Sequence, residues 1–409
     1  MGGRIVTAGK TVSSRWRLLA IAICSSAFVS CYSPESTDVA TSSPAEVLPK
    51  PDENGTYLFW KPEEQLLGYR NIEKIFPTRT IARGQSVMPL PKAAQELQLT
   101  YDVAGETWTP DTFMERTNAV GLLVIHRDEI VFEKYRLGYT EDQRWTSFSV
   151  AKSISSTLAG AALKDGAIRS LEDPITDYLP GLKGSAYEGV TVRHLLNMTS
   201  GVKWNEDYSD PKSDVATIRS EKSINGSDPI VSYMARLPRE AEPGTKFVYK
   251  TGETHLVGSL VRAATGKTLS DYLSEKIWKP LGMEKDAVWM LDSAGNEFAG
   301  CCISATLRDF GRFGVFFKNG AKINGESVVP ETWVKEATSP SPASDQYGFQ
   351  WWLTDGPAYN AIGIFGQQIH INPEKDLVIV IQSANATATD RAARAARAEL
   401  IAAVTRQLQ

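Results

Sequence analysis

Cysteine and histidine are scarce in this sequence, and their scarcity limits the chemistry that it can support. Four cysteines occur among 409 residues, and two of them, Cys301 and Cys302, are adjacent. Adjacent cysteines provide neither a disulfide framework nor the spacing of a CxxC metal site. The four histidines are scattered without ligand spacing. We therefore expect no metal ion and no cofactor, and we interpret Cys301 and Cys302 as packing residues.

The sequence also lacks an excess of positive charge. Lysine and arginine together number 44 against 48 aspartate and glutamate residues, for a formal net charge of −4. Binding to a phosphate backbone requires a basic stripe, so nucleic acid is not an expected partner. A G-x-S-x-G nucleophile elbow is missing as well, which argues against an α/β-hydrolase. No histidine has the context of a Ser-His-Asp triad, although counting residues does not exclude one.

The N-terminus has a composition of its own. Four basic residues precede the short apolar run "LLAIAICSSAFVSC". This pattern predicts a secretory signal over residues 1–30, since the run is too short and too rich in serine for a transmembrane helix. The stretch "FVSC" resembles a bacterial lipobox, with Cys31 as the lipidated first residue of the mature chain. The alternative is ordinary cleavage and a soluble periplasmic protein.

Residues 31–55 are rich in serine, proline and acidic residues, which predicts a disordered tether rather than a folded segment. Ordered sequence is expected from residue 56, with 56–117 as an extension that packs on a domain of residues 118–409. We thus expect an exported bacterial protein, periplasmic and anchored to the membrane through Cys31.

Strand patterns occur at both ends of the predicted domain, with helical patterns between them. Residues 121–135 predict a β-hairpin, and residues 367–373 and 376–384 predict two paired strands. The predicted helices cover 149–163, 191–198, 253–266, 268–278, 305–320 and 390–408. If the early and late strands pair, the fold is α+β, with one antiparallel sheet and an inserted, mostly helical region. The arginines at 391, 394 and 397 are interpreted as a solvated helix face.

Ser149 and Lys152 stand three residues apart where a polar stretch meets an alanine-rich apolar run. On a helix the two side chains lie on one face, about 5–6 Å apart. Burial disfavours the charged form of a lysine and lowers its pKa, so the amine can take the proton of the serine hydroxyl. The helix N-terminus adds N–H groups where an oxyanion would form. The pattern favours a serine nucleophile with a lysine base.

A simpler interpretation is that Ser149 caps the helix and Lys152 extends to water. The tetrapeptide alone favours this simpler interpretation. The spacing S-x-x-K occurs again at Ser209 and Lys212, but that copy contains a proline, lies in a polar setting and precedes no apolar run. We discard the second copy and use the rest of the chain to judge the first.

Several motifs follow one another in the order found in a known family. They are "SFSVAKSI" (147–154), "LLNMTSG" (195–201), "PLGM" (280–283), "TLRDFGRFG" (306–314) and "YGFQWW" (347–352). With them, the sequence resembles the serine β-lactamases and penicillin-binding proteins, in which S-x-x-K opens a buried helix. Within that group it is most similar to class C β-lactamases, family VIII esterases and 6-aminohexanoate-dimer hydrolases. The resemblance extends from about residue 118 to the C-terminus and implies a β-lactamase/transpeptidase-like fold.

The resemblance implies a tyrosine in a Y-x-N or Y-x-S motif after the S-x-x-K motif. Tyr69 precedes that motif, and Tyr272 lies inside a predicted helix, so neither fits. Tyr249 follows a Pro-Gly turn and precedes a helix, and it is the candidate partner of Lys152, whose ammonium would stabilise a phenolate. Thr251 departs from the usual Asn or Ser but keeps a hydroxyl. The alternative for Tyr249 is a tyrosine of the core.

The third motif of the wider family, K-T-G or H-x-G, is altered in this sequence. Ile364, Phe365 and Gly366 occupy the corresponding place. By resemblance, the N–H of Gln367 pairs with the N–H of Ser149 to form the oxyanion hole. No lysine or histidine is present there to bind the carboxylate of a β-lactam or a stem peptide, which counts against both substrates.

A few residues near these motifs are candidate substrate contacts. They are Asp207, Tyr208, Trp351, Phe365 and Gly366. The first two lie in the loop after "MTSG", and Gly366 allows close backbone approach. The aromatic residues could form an apolar acyl pocket, although any single aromatic residue is more often part of a core.

The sequence predicts an exported serine hydrolase that acts through an acyl-enzyme on small esters or non-peptide amides, including short 6-aminohexanoate oligomers. Ser149 is the expected nucleophile, and Lys152 and Tyr249 are expected to move the protons. One alternative is a β-lactamase or D-alanyl carboxypeptidase. An alternative of another class is a non-catalytic envelope lipoprotein that keeps the fold as a binding module. The oligomeric state stays open.

Overall fold

Strands from both ends of the chain pair in one antiparallel sheet. The computed structural model describes residues 47–52, 55–224 and 226–408, so the predicted signal, Cys31 and most of the predicted tether lie outside the described residues. In chain order the strands are β1 (Thr78–Ile81), β2 (Tyr101–Val103), β3 (Glu106–Trp108), β4 (Ala119–His126), β5 (Glu129–Tyr135), β6 (Trp145–Thr146), β7 (Ala287–Met290), β8 (Ile303–Ala305), β9 (Lys322–Ile323), β10 (Glu326–Ser327), β11 (Trp352–Leu353), β12 (Tyr359–Ile362), β13 (Gln368–Asn372) and β14 (Leu377–Ser383).

Helices fill the sequence between these strands and follow the last one. They are α1 (Pro62–Tyr69), α2 (Ile72–Ile75), α3 (Pro110–Arg116), α4 (Val150–Lys164), α5 (Val192–Leu196), α6 (Asp214–Thr217), α7 (Pro229–Met234), α8 (Thr251–Thr265), α9 (Leu269–Leu273), α10 (Lys279–Leu281), α11 (Leu307–Lys318), α12 (Trp333–Ala337) and α13 (Arg391–Gln407). A π-helical segment, Ser274–Trp278, joins α9 to α10 and divides the helix predicted over 268–278. No helix of the described residues is both long and apolar enough to span a bilayer.

The larger sheet confirms the predicted pairing of early and late strands. Its order is β11-β12-β13-β14-β4-β5, and every pairing in it is antiparallel. The central pair joins β14 to β4, with Ile381 opposite Leu122 and Val380 opposite Leu123. The sheet is therefore closed by segments more than 250 residues apart, and the helical region is inserted between them.

Both faces of this sheet are covered by helices. In β4 the side chains of Leu123 and Ile125 belong to the main core, whereas those of Leu122 and Val124 belong to a second cluster with residues of α13. Successive side chains of a strand point to opposite faces, so an unbroken apolar run such as "AVGLLVI" fits a strand buried on both sides. The helix α11 packs on the main-core face of the sheet.

Two glycines let α11 lie close against that face. A Cβ atom on Gly311 would stand 2.8 Å from Leu123 Cδ2, and one on Gly314 would stand 2.5 Å from Val378 Cγ1. Real Cβ atoms do not approach carbon so closely, because packed interiors have no spare volume. The glycines of "TLRDFGRFG" therefore permit close helix–sheet packing.

The N-terminal extension contributes to a second sheet of order β1-β7-β8-β6. Its strand β1 pairs with β7 in antiparallel register, with Thr80 opposite Val288. The aromatic rings of Trp60 and Tyr69 stack at 5.9 Å and belong to the main core. The contact pattern of residues 47–409 forms a single unit, with no division at residue 117.

Ordered packing begins earlier than the sequence predicted. The carbonyl of Lys50 accepts a hydrogen bond from Trp60 Nε1 at 2.7 Å, and the carboxylate of Asp52 accepts from both Thr56 N and Thr56 Oγ1 at 2.8 Å. The carbonyl of Gly55 accepts from Arg219 Nε at 3.0 Å. The expected tether is thus wrong for Lys50, Asp52 and Gly55, because hydrogen bonds tie these three residues to the ordered chain.

The helix α4 is buried along almost its whole length. It is rich in alanine, and three of its buried hydroxyls donate to the backbone of two neighbouring loops. Ser153 and Ser156 donate to the carbonyls of Gln350 and Phe349 at 2.7 and 2.8 Å, and Ser155 donates to that of Ala299 at 2.7 Å. Buried polar groups are tolerated when they are hydrogen-bonded, and here the bonds fix α4 against both loops.

We predict that Gly160→Ala destabilises the protein. The new Cβ atom would stand 2.5 Å from Trp333 Cε2, inside the contact distance of a rigid ring that is almost fully buried. Overpacking costs about 1–3 kcal/mol, which exceeds the ~1 kcal/mol that alanine gains over glycine in a helix. Urea unfolding should show a net loss of up to about 2 kcal/mol.

Lys164→Ala is the matched control, since Lys164 is exposed in the last turn of the same helix. We expect its unfolding free energy to stay within about 0.5 kcal/mol of the parent value. A Gly160→Ala protein as stable as the parent would show that the ring of Trp333 can move away from the new methyl group without a cost in free energy of unfolding.

Candidate active site

Ser149 lies immediately before α4, and Lys152 lies in its first turn. The side chain of Ser149 makes no capping hydrogen bond, and Lys152 is 1% exposed. The simpler interpretation, a capping serine and a lysine that extends to water, is therefore wrong. The two side chains face each other instead, with Lys152 Nζ 3.1 Å from Ser149 Oγ.

The amine of Lys152 has two further partners. Thr251 Oγ1, at the start of α8, lies 3.0 Å from Nζ, and the carbonyl oxygen of Gly300 lies 2.8 Å from it. These partners come from a helix and a loop distant in the sequence from α4. They hold the amine in place, and no carboxylate of the residues that the structure describes is in direct contact with it, so the positive charge of an ammonium form is only partly compensated.

The donors and acceptors around Lys152 determine which way a proton can move. A carbonyl such as that of Gly300 can only accept a hydrogen bond, and the hydroxyl proton of Thr251 is donated to Glu206 Oε1. A neutral amine donates two hydrogens and offers one lone pair. Ser149 is then the one partner of the three that can donate to that lone pair. The arrangement is suited to transfer of the serine proton to the amine.

Glu206 anchors this network from the loop after α5. Its carboxylate accepts hydrogen bonds from Thr251 N at 2.8 Å, from the Thr251 hydroxyl, from Trp204 Nε1 and from the Tyr208 hydroxyl at 2.6 Å. All of these groups donate, so the carboxylate acts as an acceptor alone, as its ionised form does. The hydroxyl of Thr251 contacts both groups, so it separates the negative charge of Glu206 from the amine of Lys152.

Burial lowers the pKa of Lys152 from 10.5 to about 8, and the negative charge of Glu206 opposes part of that shift. Burial raises the pKa of Tyr249 above its usual range, the charge of Glu206 adds to the effect, and hydrogen bonding to Ser149 reduces it. The expected phenolate at Tyr249 is therefore not favoured. Burial disfavours charge on both groups, so the amine loses its proton near pH 8 instead of above pH 10, while the phenol keeps its proton.

Tyr249 occupies the position predicted for it, just before α8. Its ring lies 5.2 Å from Lys152 Nζ and stacks on Trp352 at 5.4 Å, with Tyr347 packed edge-on at 6.0 Å. The phenol is thus held between two aromatic rings that restrict its rotation. Tyr69 and Tyr272, the tyrosines set aside earlier, are core residues, and the ring of Tyr69 packs on Phe148 at 4.8 Å.

His255 positions the carbonyl that holds Lys152. It lies one helical turn after Thr251 in α8, and its Nδ1 accepts a hydrogen bond from the N–H of Gly300 at 3.1 Å. Burial and the nearby charge of Lys152 lower the pKa of His255 well below its usual value, so the ring is neutral and can accept. Two residues of one helix face therefore hold Gly300 and Lys152 together.

The segment in the place of the third motif packs against the start of α4. The rings of Phe365 and Phe148 lie 5.0 Å apart, and Ile364 lines the same cavity as Ser149. Gly366 has a φ of +101°, a conformation that favours glycine. The N–H groups of Ser149 and Gln367 have no acceptor among the described residues, so both are available for an oxyanion.

Two cavities adjoin these residues. A small one of about 30 Å³ is lined by Ser149, Tyr208 and Ile364, together with Cys301. A larger cleft of about 250 Å³ is lined by Tyr208, Ile364 and Tyr249, together with Trp352 of β11. Tyr208 and Ile364 are shared by both, so the two spaces meet beside the serine and the phenol.

The candidate substrate contacts divide between the cavities and the core. Tyr208 lines both cavities. Trp351 is fully buried and stacks on Phe317 at 4.4 Å, so its selection as a substrate contact is wrong, and Trp352, the next residue, faces the cleft instead. Phe365 is a core ring.

Two further candidates, Asp207 and Gly366, stabilise the local backbone structure instead of lining a cavity. The carboxylate of Asp207 accepts from Ser209 N at 2.9 Å and Ser209 Oγ at 2.6 Å, which closes an exposed turn. A Cβ atom on Gly366 would stand 2.7 Å from Asn385 Oδ1, so this glycine allows close packing on the loop after β14. Neither residue lines the two cavities.

Cys301 and Cys302 form a disulfide with each other, which the sequence interpretation as simple packing residues did not foresee. The Tyr57 hydroxyl lies 2.9 Å from Cys301 Sγ and 2.7 Å from Cys302 Sγ. The pair directly follows Gly300 and forms part of the wall beside Ser149. Among the described residues no group of His, Cys, Asp and Glu is arranged to hold a metal ion.

Comparison with known proteins identifies the family. The Beta-lactamase family profile matches residues 110–403. The chain belongs to the beta-lactamase family. A 6-aminohexanoate-dimer hydrolase from Paenarthrobacter ureafaciens is 31% identical over 334 residues, which cover 76% of this chain and 83% of that protein. These beta-lactamase family relatives indicate a serine hydrolase of the β-lactamase and 6-aminohexanoate-dimer hydrolase kind, and they confirm the resemblance read from the motifs.

Two solved structures confirm the predicted β-lactamase/transpeptidase-like fold. A Bacillus anthracis protein described as a candidate 6-aminohexanoate-dimer hydrolase has a TM-score of 0.75 at 23% identity and covers 84% of this chain and 94% of its own. A penicillin-binding protein from Bacillus halodurans has a TM-score of 0.58 at 18% identity, covering 71% and 99%. At these identities the likeness concerns the fold alone.

Sequence reasoning missed two residues of this beta-lactamase family site. Glu206 directly precedes Asp207 and Tyr208 in the stretch "KWNEDY", and its place in the loop from which those two were selected was the available signal. His255 follows Thr251 at the helical spacing of four, which places both on one face of α8. The role of this spacing becomes visible only in the tertiary structure, where Gly300 hydrogen-bonds to both His255 and Lys152.

We predict that Glu206→Gln moves the pH dependence of serine reactivity to lower pH. Lys152 accepts a proton only when neutral, so the rate of fluorophosphonate labelling should rise with pH through a pKa of about 8. The charge of Glu206 raises the pKa of Lys152, and removing that charge lowers it. The rising limb should therefore shift to lower pH in the variant, as measured by labelling rates from pH 6 to pH 10.

Asp207→Asn is the control for this experiment, since it removes a neighbouring carboxylate that bonds only to its own loop. Its pH profile should match that of the parent. A Glu206→Gln profile that stays in place, or moves to higher pH, would show that Glu206 does not act on the titrating group.

Proposed function

We propose that this protein is a serine hydrolase of the SxxK type that cleaves small esters or non-peptide amides through an acyl-enzyme. The proposal depends above all on one contact, the 3.1 Å approach of the buried Lys152 amine to Ser149 Oγ. The other two partners of the amine cannot donate to it, so the serine proton has a defined acceptor. A non-catalytic binding module would require none of this arrangement.

In the first half-reaction Ser149 Oγ attacks the substrate carbonyl while Lys152 Nζ takes its proton. The negative charge on the carbonyl oxygen is stabilised by the N–H groups of Ser149 and Gln367, at the N-terminus of α4 and before β13. Tyr249, whose pKa is raised by burial, holds its proton and can donate it to the departing oxygen or nitrogen. Lys152 then restores the proton of Tyr249, and the acyl group stays on the serine.

In the second half-reaction water enters from the cleft and attacks the acyl-enzyme. The same groups act in reverse order: a base removes a proton from water, the oxyanion hole holds the negative charge, and Ser149 leaves with a proton. The cleft beside Tyr249 is open to solvent on one side, since the exposed residues Thr389 and Arg394 line it. Water therefore has a route to the ester carbonyl.

Small esters and non-peptide amides are the proposed substrates for two reasons. The place of the third motif holds Ile364 and Phe365 rather than a lysine or histidine, which removes the usual carboxylate partner of β-lactams and stem peptides. A relative that matches over 76% of this chain is a 6-aminohexanoate-dimer hydrolase, whose name indicates a linear amide. A β-lactamase or D-alanyl carboxypeptidase activity ranks below these substrates.

Hydrolysis of p-nitrophenyl butyrate tests the proposal. The parent should release p-nitrophenol with saturable kinetics, and Ser149→Ala should lose at least about 10³-fold in kcat/KM because the nucleophile is gone. Fluorophosphonate labelling should disappear in the same variant.

The second S-x-x-K copy offers a matched control. The hydroxyl of Ser209 donates to Asp207 in the same exposed loop. Ser209→Ala removes this hydroxyl, and the variant should retain parental turnover and labelling. Activity that survives in Ser149→Ala would contradict the nucleophile assignment. A parent that neither turns over esters nor takes the label would favour the binding module.

We also propose that the protein is exported and held at the membrane by a lipid on Cys31. The support is the basic and apolar pattern of residues 1–30 and the "FVSC" stretch, which lie outside the described residues. In a bacterial host that processes lipoproteins, the full chain should sediment with membranes and require detergent for release. Cys31→Ser should abolish the lipid adduct seen by mass spectrometry, whereas Cys24→Ser should keep it. A parent without the adduct would contradict the anchor.

A further inference from the structure

The segment that holds the Lys152 amine continues directly into the disulfide. The carbonyl of Gly300 accepts from Lys152 Nζ at 2.8 Å, and the next two residues are Cys301 and Cys302, which are bonded to each other. A disulfide between adjacent residues closes a ring that contains their shared planar peptide unit, so it restricts the backbone dihedral angles on both sides of that unit. The backbone beside the proposed base is therefore restricted by a bond that a thiol reductant can break.

Cys302 shows this restriction in its own backbone. Its φ is +73°, in the left-handed region that is unfavourable for a residue with a Cβ atom. The carbonyl of Cys302 accepts from Met290 N at 3.2 Å, so the sheet holds the chain at this point. A return of Cys302 to an ordinary φ would then displace the residues before it, Cys301 and Gly300. The N–H of Cys301 donates to the carbonyl of Phe298 at 3.0 Å, which limits how far they can move.

Cys301 carries the sulfur atom that a reductant can reach. It is 8% exposed and lines the cavity of about 30 Å³ that Ser149 also lines, whereas Cys302 is fully buried. This cavity adjoins the larger cleft beside Ile364. Access decides which sulfur of a disulfide a thiolate attacks. A small thiolate therefore attacks Cys301 Sγ, and Cys302 is the leaving group.

The surroundings of the two sulfur atoms favour a leaving thiolate. The Tyr57 hydroxyl lies 2.7 Å from Cys302 Sγ, and burial raises the pKa of Tyr57 to about 12, so the hydroxyl keeps its proton and can donate. The guanidinium of Arg219 lies over the Tyr57 ring at 5.6 Å and lines the same cavity as Cys301. A thiolate is stabilised by a hydrogen-bond donor and by positive charge, whereas a disulfide sulfur is a weak acceptor. Both groups therefore favour the reduced pair.

We propose that Cys301 and Cys302 are a redox-modification site at which reduction by a dithiol lowers the reactivity of Ser149. The inference rests on the proposed hydrolase function, because it acts through the Lys152 amine that takes the serine proton. In the disulfide form, the carbonyl of Gly300 is held where it accepts from that amine. In the dithiol form the carbonyl can shift, and the amine loses one of the partners that direct its lone pair toward Ser149.

Reduction is an exchange of one disulfide for another. A thiolate of the dithiol attacks Cys301 Sγ, the sulfur–sulfur bond breaks, and Cys302 leaves as a thiolate that takes a proton from water. The second thiol of the reductant then displaces Cys301, which leaves as a thiol. The pair gains two electrons and two protons, and the dithiol is oxidised to a disulfide. An oxidised dithiol reverses the exchange.

The redox state of the compartment decides which form of the pair is present. Cytosolic thiols are kept reduced, whereas disulfides persist in exported proteins. If the chain is exported as proposed, the disulfide forms after export, and Ser149 reaches its full reactivity outside the cytosol. A chain that stays in the cytosol is then the less reactive dithiol. The pair would thus restrict hydrolysis to the oxidising side of the membrane.

The test follows thiols and serine reactivity in the same samples. The full chain carries Cys24→Ser and Cys31→Ser, so that Cys301 and Cys302 are its only cysteines. In dithiothreitol buffers of increasing reduced fraction, without denaturant, iodoacetamide should add two groups by mass spectrometry. The rate of fluorophosphonate labelling should fall by about tenfold. Both changes should follow one two-electron titration curve and reverse on reoxidation.

Tyr57→Phe tests the group that faces the leaving sulfur. Its midpoint should need a ratio of reduced to oxidised dithiothreitol that is higher by at least about threefold, because the reduced pair loses a donor. Tyr101→Phe is the matched control, since Tyr101 is a buried tyrosine of the second core cluster whose hydroxyl contacts neither sulfur. Its midpoint should equal that of the parent.

The Cys301→Ser, Cys302→Ser double variant cannot form the bond. It should label at the rate of the reduced parent in every buffer, which also controls for any effect of dithiothreitol on the probe. A double variant that labels at the rate of the oxidised parent would contradict the proposal. Circular dichroism checks its fold, and the titration of the parent decides the question if this variant does not fold.

The outcomes separate the redox site from the proposed function. Two alkylated thiols without a change in the labelling rate would overturn the link between the pair and Lys152. A pair that dithiothreitol does not reduce in the folded protein would overturn the redox site. A parent that takes no label in either form would contradict the hydrolase proposal itself, and this result is distinct from equal labelling of both forms.

Discussion

The buried amine of Lys152 is the constraint on which the rest of the site depends. A lysine that is 1% exposed must find hydrogen-bond partners inside the protein, and it finds them on three separate segments: Ser149 before α4, Thr251 at the start of α8 and the carbonyl of Gly300. Each partner is held in turn by its own contacts. The fold therefore brings an early helix, a middle helix and a late loop to one nitrogen atom.

Burial has opposite consequences for the two groups that handle protons. It lowers the pKa of Lys152 and raises that of Tyr249, because in each case it disfavours the charged form. The amine is thereby made a base and the phenol is kept an acid. Glu206 limits the effect on the amine while holding the Thr251 hydroxyl in the orientation that leaves Ser149 as the donor. Burial is the main cause of both pKa shifts, and the charge of Glu206 reduces the shift of Lys152.

The position of the two arginines beside the cleft follows from the way that α13 packs on the larger sheet. The larger sheet pairs β4 with β14, and α13 packs on the outer face of that sheet. Alanines and leucines of α13 fill the second core, and this placement carries Arg394 and Arg397 to the side of the sheet next to Tyr249. The sequence presents α13 as an ordinary amphipathic helix, and only the packing shows that two of its arginines line the cleft. The interpretation of these arginines as a solvated face is thus wrong for Arg397, which is 5% exposed.

The sequence by itself determined the fold class, the central strands of the larger sheet, the four longest helices and the serine–lysine pair, because these depend on local pattern: an apolar run of seven residues for β4, an apolar run rich in alanine for α4 and a hydroxyl three residues before a lysine. It also indicated Tyr249 through its place before a helix. It could not reveal Glu206, His255 or Arg397 as parts of one region, nor that Trp351 faces the core and Trp352 the cleft. Those facts are set by which distant segments meet and by the direction of each side chain, and only tertiary packing decides them.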